Sequence, residues 1–240
     1  MASAGMGALP IREPVAEFDT IGITAFTTTR AHGDFSLAQP DLLETNTGRW
    51  NALQRALSPA SPGLVSALQV HGVGIAEHTE SWSGWVRLDG VDAHIVHVPG
   101  AAAVTIADCV PVFIAHPSGV TALVHAGWRG TAARLVAQVI QRFVSTGLAS
   151  TDLHLHFGPA ICGRCYEVGP DVYEQLTGWQ TVRQRHVDLR ALLAEQARGA
   201  GLRHVSASPY CTRCDNDRFF SHRAGDAGRQ IAVVVAGAGG

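Results

Sequence analysis

The sequence predicts an α+β fold built as a single domain, and three observations carry that prediction. Strand-like and helix-like segments are mixed without the regular alternation of a doubly wound sheet. The densest β signal is a block of three runs, 101–106, 110–115 and 120–124, rich in β-branched and small apolar residues. No internal repeat, linker or low-complexity stretch divides the 240 residues, although length alone would allow one domain or two.

Residues 1–20, rich in Ala, Gly and Pro, read as a loose N-terminal arm, leaving 21–240 as the domain. A strand is expected over 23–28, ending at Arg30, followed by a polar, turn-rich stretch to Pro40. Asn46 is placed to cap a short helix through Leu57. A strand over 63–70 delivers His71 at its end, and 80–92, with Gly84, Asp89 and Gly90, reads as loop. Pro117, Ser118 and Gly119 form the turn between the last two strands of the β block, which predicts a hairpin. A three-residue loop pairs His116 with Val120, sets Pro111 opposite His125, and leaves Cys109 two positions along on the face of His125. A two-residue loop would send the two side chains to opposite faces.

Residues 131–146 give the clearest helix, with an apolar stripe of Leu135, Val136, Val139, Ile140, Phe143 and Val144, and Gly147 to end it. Trp128-Arg129-Gly130 then lies between a strand end and a helix N-terminus, where free backbone N–H groups favour anions. A strand at 152–157, helices at 172–176 and 188–198, and strands at 205–207 and 230–236 complete the reading.

Hydrophobic residues make up 46% of the chain and charged residues 16%, enough for a substantial core. The net charge of −2 gives no nucleic-acid footprint. All 18 basic residues are arginine. Schiff-base and lysine-base chemistry are therefore closed, and an anion must be held by arginine forks, backbone amides or a metal. The sequence shows no secretory signal and no run long enough to span a bilayer, so the expected compartment is the cytoplasm. Five cysteines in a reducing compartment point to metal binding, catalysis or packing rather than disulfides.

The chemistry concentrates in Ala107-Asp108-Cys109-Val110-Pro111-Val112 and His125-Ala126-Gly127-Trp128-Arg129-Gly130, with His71 upstream in Gln69-Val70-His71-Gly72. Two imidazoles and one thiolate leave one position of a tetrahedral zinc open, the pattern of a reactive site. The plainer alternative is a reduced core cysteine near two unrelated histidines. Asp108 either orients a ligand or caps the strand. His154-Leu155-His156 shares one strand face, where solvent-side histidines are the ordinary outcome. Cys162/Cys165 and Cys211/Cys214 form a double CxxC, but their wide separation favours packing or an active-site position over a four-cysteine zinc site. His78-Thr79-Glu80 with Cys162/Cys165 imitates the parts of a zinc nucleobase deaminase without that fold's spacing or its proline. Dinucleotide-binding and P-loop signatures are absent.

Taken together these motifs resemble the YfiH-like proteins, also called the laccase-domain or multicopper polyphenol oxidase family. The likeness continues through Asp92-Ala93, Gly158-Pro159-Ala160-Ile161, Tyr166-Glu167-Val168, Cys211-Thr212, Phe219-Phe220-Ser221-His222-Arg223 and Gly228-Arg229-Gln230. The resemblance implies mixed sheets layered against helices. It also implies zinc on His71, Cys109 and His125, with Gln69 and Arg129 lining the same pocket. Arg30 and Arg223 are further candidates for holding phosphate, and Cys109, His125 and Asp108 for the chemistry. The implied activity is a zinc-dependent purine nucleoside phosphorylase acting on adenosine, inosine, guanosine and methylthioadenosine, with adenosine deaminase activity in addition. Its partners are a purine nucleoside and phosphate, with neither nucleic acid nor membrane, and the sequence gives no oligomeric state. Two other readings stand beside it. One is a Cys/His amidase editing a peptidoglycan precursor, with Cys109 as nucleophile and His125 as base. The other is a copper-dependent polyphenol oxidase, since the same ligands suit copper, although a multicopper centre needs more His-x-His pairs than this chain has. The sequence departs from the family in a shortened segment after Arg30, in Arg223-Ala224 where an arginine pair is usual, and in Cys162-Gly163-Arg164-Cys165 where two cysteines are usually adjacent. Cys214 is additional.

Overall fold

The computed structural model describes residues 12–237. The strands form two six-stranded mixed sheets. The first contains β1 (Arg12–Pro14), β2 (Thr24–Thr28), β3 (Gly63–Leu68), β5 (Gly84–Asp89), β7 (Gly100–Ile106) and β14 (Gln230–Ala236) in the order β1-β2-β14-β7-β3-β5. The second contains β4 (Ile75–His78), β6 (Ala93–Val96), β8 (Val110–Ala115), β9 (Thr121–Ala126), β10 (His154–Phe157) and β13 (His204–Ala207) in the order β13-β10-β8-β9-β6-β4. A small ribbon pairs β11 (Glu167–Val168) with β12 (Arg185–His186).

The alternation of side chains along the strands produces four layers. Along β14, Ala232, Val234 and Ala236 join Ala102, Val104 and Ile106 of β7 in the interface between the sheets, where they meet Phe113, Ala115 and Leu123 of the second sheet. The alternate residues Ile231, Val233 and Val235 face outward and are covered by Trp50, Leu53 and Leu57 of helix α2 (Leu43–Leu57). The outer face of the second sheet, with Val112, Ile114, Ala122 and Val124, is covered by α4 (Leu135–Ser145) and α6 (Leu189–Gly199), with α5 (Pro170–Thr177) packed against the same core. The expected α+β domain with mixed sheets layered against helices is what forms, and each layer is held by burial of β-branched and aromatic side chains.

Several expectations change. The arm is ordered where it is described: β1 pairs antiparallel with β2, and α1 (Ala16–Asp19) buries Phe18, while residues 1–11 lie outside the described residues. Residues 80–92 are not all loop, because β5 pairs in parallel with β3 along its whole length. The exposed Arg87 and Asp89 among its apolar residues hide it from a pattern search. Asn46 does not cap α2, which begins at Leu43. It lies buried inside the helix, and its amide donates to the Ser36 carbonyl at 2.6 Å and to Asp34. The helix expected over 131–146 starts earlier and breaks: α3 (Trp128–Ala132) is separated from α4 by Arg134 in the left-handed region at φ 58°. Val144 stands at the exposed margin of the α4 stripe. His156 is buried and bonded to Ser206, not solvent-facing, while His154 stacks on His204. Among the described residues no helix is long and apolar enough to cross a membrane.

The hairpin forms in the three-residue register, with His116 N–H donating to Val120 O at 2.9 Å and Pro111 opposite His125. Gly119 at φ 92° supplies the left-handed residue that this turn needs.

Asn46→Ala strands the buried Ser36 carbonyl and frees the 34–38 loop. Unfolding in urea should show a loss of roughly 1–3 kcal/mol, with the slope against denaturant unchanged.

Candidate functional site

His71, Cys109 and His125 arrive from both sheets. β3 of the first sheet ends at Leu68, and the chain then turns through His71, which adopts a left-handed φ of 58°. Cys109 immediately precedes β8 of the second sheet, behind Asp108 at φ 87°. His125 lies in β9, and the hairpin register brings it beside Cys109. One donor atom from each of the three lies within 4.8 Å of the others. The two imidazoles meet nearly edge-on, with ring centroids 4.8 Å apart and planes inclined at 77°.

One fully buried carboxylate arranges them. Asp92 accepts the backbone N–H groups of His71 at 3.0 Å, Gly72 at 2.7 Å and Val70 at 3.3 Å, and its Oδ1 lies 2.9 Å from His125 Nδ1. With Nδ1 donating to Asp92, the Nε2 lone pair of His125 is left for the cluster. In the sequence Asp92 appears only as part of a matched motif; its one intrinsic signal is an acid directly ahead of the short stretch Ala93-His94-Ile95-Val96. Gly127 completes the enclosure. A Cβ there would lie 3.1 Å from Cys109 Sγ and 3.2 Å from His71 Cδ2, so any side chain would press on two donors at once.

Burial works against the Cys109 thiolate, but the His125 cation and hydrogen bonds from His125 and His71 outweigh it, lowering the thiol from 9.0 to about 6. Burial likewise opposes the His125 cation, and the Cys109 thiolate and Asp92 reverse the effect, raising it to about 9. Asp92 stays below its ordinary value: burial pushes it up, while His125 and the Gly72 and Val70 amides pull it down further. Tyr166, on the cavity wall, is pushed up to about 12 by burial and then by Cys109, so its phenol keeps its proton at neutral pH.

The three residues open into a cavity of about 570 Å³, whose wall also carries Phe35, Trp50, Tyr166, Trp128 and four arginines, Arg87, Arg129, Arg223 and Arg229. This volume lies within the range of small-molecule sites, about 300–1,000 Å³. Arg129 lines the cavity with its guanidinium over the Trp128 ring at 4.5 Å. Arg223 also lines it, bonded to Glu167 O and stacked on Tyr166. Gln69 lies in the wall, but its amide is used in three bonds to Thr105, to the carbonyl, the N–H and the hydroxyl, each 2.8 Å. It locks the β3 exit to β7 and is not turned toward a ligand. Arg30 points away from the cavity, clamped to Asp226 at 2.7 Å and to the carbonyls of Asn216 and Phe219, so it staples loops instead of holding an anion. Asp108 accepts from Thr212 Oγ1 at 2.6 Å and Arg223 N–H at 2.7 Å, and so holds the cavity rim without reaching either histidine. Cys162, Cys165, Cys211 and Cys214 converge elsewhere, with sulfurs within 4.8 Å of one another, and are neither scattered packing residues nor part of this cavity's chemistry.

The donor set fits a metal ion. Tetrahedral zinc with bonds of about 2.0–2.3 Å needs donor separations of about 3.3–3.8 Å, and the three donor atoms already lie within 4.8 Å of one another. A carboxylate orients one imidazole, and all three residues line the cavity, which would leave room there for a further ligand.

Residues 29–237 match the family described as multi-copper polyphenol oxidoreductase laccase. The chain belongs to this family, that of the YfiH-like proteins. Among its relatives, a purine nucleoside phosphorylase of Deinococcus radiodurans is 36% identical over 194 residues, covering 76% of this chain and 74% of that one. Adenosine deaminase RL5, from an unknown prokaryotic organism, is 30% identical over 233 residues, with 84% and 88% covered. The crystal structure of YlmD from Geobacillus stearothermophilus has a TM-score of 0.78 at 27% identity, covering 90% of this chain and 92% of that one. Bacillus licheniformis hypothetical protein YfiH, at 22% identity, shares the fold with a TM-score of 0.83 over 95% and 98% of the two chains.

In metal-stripped protein the Cys109–His125 ion pair exists between about pH 6 and about pH 9. It is lost as pH falls through the Cys109 value and as pH rises through the His125 value. Alkylation of Cys109, followed by peptide mapping, should therefore rise with a midpoint near pH 6, and Asp92→Asn should move that midpoint upward. In the metal-loaded protein, Asp92→Asn should weaken metal retention by about 10–100-fold; unchanged affinity would remove Asp92 from its organising role.

Proposed function

We propose that the chain is a zinc-dependent purine nucleoside phosphorylase that also deaminates adenosine. The observation that carries this reading is a three-donor set, His71, Cys109 and His125, lining an aromatic- and arginine-walled cavity. The relatives named purine nucleoside phosphorylase and adenosine deaminase support it. Adenosine, inosine, guanosine and methylthioadenosine are the proposed substrates.

When bound, zinc supplies a Lewis acid and lowers the pKa of a water near neutral pH. The chain's own residues do the rest. Asp92 holds the proton on His125 Nδ1 and thereby fixes the ring. Phe35 and Tyr166 offer flat apolar surface for a purine, and Tyr166 keeps its phenolic proton as a hydrogen-bond donor. Arg129 and Arg223 provide the positive charge that a phosphate dianion needs in a chain without lysine. In phosphorolysis a phosphate oxygen forms the new bond to the ribose C1′, the C1′–N9 bond breaks, and its electron pair leaves with the purine. The arginines hold the nucleophile in line and the aromatic wall excludes water that would divert the reaction to hydrolysis.

A second reading has its own observation. Without metal, Cys109, His125 and Asp92 form the sequence nucleophile, base and orienting acid, with a thiolate favoured near neutral pH. This arrangement supports a Cys/His amidase.

Ribose 1-phosphate should appear from inosine and adenosine only when phosphate is supplied. Cys109→Ala should lose one equivalent of zinc and more than about 100-fold in turnover. Product formation indifferent to phosphate, or zinc content unchanged in Cys109→Ala, would sink the proposal. Amide hydrolysis surviving complete chelation would favour the amidase.

A further inference from the structure

Away from the cavity, the fold brings together a second group of metal donors. β10 and β13 pair in parallel, His154 with His204 and His156 with Ser206, an offset of 50 residues. Cys162 and Cys211 are offset by 49, so the two strands deliver the two CxxC turns to the same edge of the second sheet. A bridge between Ala160 and Cys211, and Thr212 N–H donating to Ala160 O at 3.2 Å, continue the pairing up to the cysteines.

The two turns are built alike. In each, the residue after the second cysteine donates back to the carbonyl of the first, Tyr166 N–H to Cys162 O at 3.0 Å and Asp215 N–H to Cys211 O at 2.8 Å. Backbone amides are aimed at sulfur: Cys162 N lies 3.2 Å and Cys214 N 3.5 Å from Cys211 Sγ. Such donors stabilise a thiolate in preference to a thiol. Cys165 Sγ and Cys214 Sγ are 3.4 Å apart, and all four sulfurs lie within 4.8 Å of one another. A zinc tetrathiolate with bonds of about 2.3 Å requires sulfur separations of about 3.8 Å. Gly163 allows the first turn to pack on the start of α6, where a Cβ would come within 2.9 Å of Asp188 Cβ. Each turn carries an arginine between its cysteines, Arg164 and Arg213, and Arg213 donates to Cys165 O at 3.3 Å. Two guanidinium groups would match the net charge of Zn²⁺ with four thiolates, which is two units negative.

We propose that Cys162, Cys165, Cys211 and Cys214 bind a structural zinc ion, separate from the His71–Cys109–His125 site. Binding replaces four thiol protons by one Zn²⁺ with no change of oxidation state, and four protein ligands leave no position for a substrate. The ion anchors residues 208–229, a connection between β13 and β14 whose one regular element is the short 3-10 helix His222–Ala224. Connections of this length with so little regular structure are uncommon inside a compact domain unless they are functional. Its purpose is visible at Asp108, which the two turns hold from both sides: Ile161 N–H donates to Asp108 O at 3.0 Å and Thr212 Oγ1 to Asp108 Oδ1 at 2.6 Å. The site thus fixes the residue next to Cys109 and the loop bearing Arg223, whatever reaction the cavity carries out.

The test uses full-length protein in which His71→Ala and Cys109→Ala remove the cavity site. Purified without added metal, this protein should retain one equivalent of zinc. Exchange for cobalt should give the intense visible bands and sulfur-to-metal charge transfer of a tetrathiolate. Cys214→Ser, at an exposed position, should abolish both in that background and remove one equivalent from the otherwise wild-type chain. The Cys214→Ser comparison on the wild-type cavity needs no double variant, so poor folding of that variant leaves the test intact. A zinc-free, folded double variant without a cobalt–thiolate spectrum would overturn the proposal. So would a Cys165–Cys214 disulfide, found by peptide mapping of wild-type protein lacking zinc at these cysteines.

Discussion

Everything at the cavity floor depends on the Asp92 carboxylate. It sits at the start of β6 in the second sheet, yet three of its four hydrogen bonds reach the turn that leaves β3 in the first sheet. The fourth fixes His125. One buried charge therefore sets both the position of a histidine backbone and the orientation of another histidine's ring across the seam between two sheets. A carboxylate in that place is costly unless fully bonded, and here donors from two layers satisfy it.

This arrangement also accounts for the strained backbone. Among the described residues, His71, Asp108 and Arg134 are the non-glycine residues with positive φ, and two of the three belong to the cluster around Cys109. Each such residue costs about 1–3 kcal/mol. Charge-assisted hydrogen bonds contribute about 1.5–3 kcal/mol apiece, so the three amides on Asp92 outweigh the strain at His71. The Thr212 and Arg223 donors on Asp108 do the same for the second residue. The strain is local, and the bonds that offset it run to distant parts of the chain.

That distance explains what the sequence could and could not reveal. The hairpin was legible because Pro117-Ser118-Gly119 marks the turn between two apolar runs, but its register stood open between a two- and a three-residue loop, and the observed three-residue register is what brings Cys109 to His125. The α4 stripe and the core strands were legible because burial on one or both faces leaves a periodic mark. β5 was not, since an edge strand carrying the exposed Arg87 and Asp89 among its apolar residues reads as loop. Arg30 resembled an anion ligand until its partner proved to be Asp226, 196 residues away. Asn46 looked like a helix cap because its acceptor, Ser36, lies outside the helix altogether. The four-cysteine cluster was hidden by the same cause: only the parallel pairing of β10 with β13 closes the gap between its halves. Periodicity reports burial, and polar residues take their roles from partners that periodicity does not name.

The position of His71, Cys109 and His125 across the seam gives the domain a property that no single layer has. An ion held by all three binds only when the two sheets are docked, so its binding free energy is added to their docking. Above its dissociation constant, each tenfold rise in free ion adds about 1.4 kcal/mol to the folded state. The melting temperature of such a domain is then a reading of the metal available around it as much as of its core.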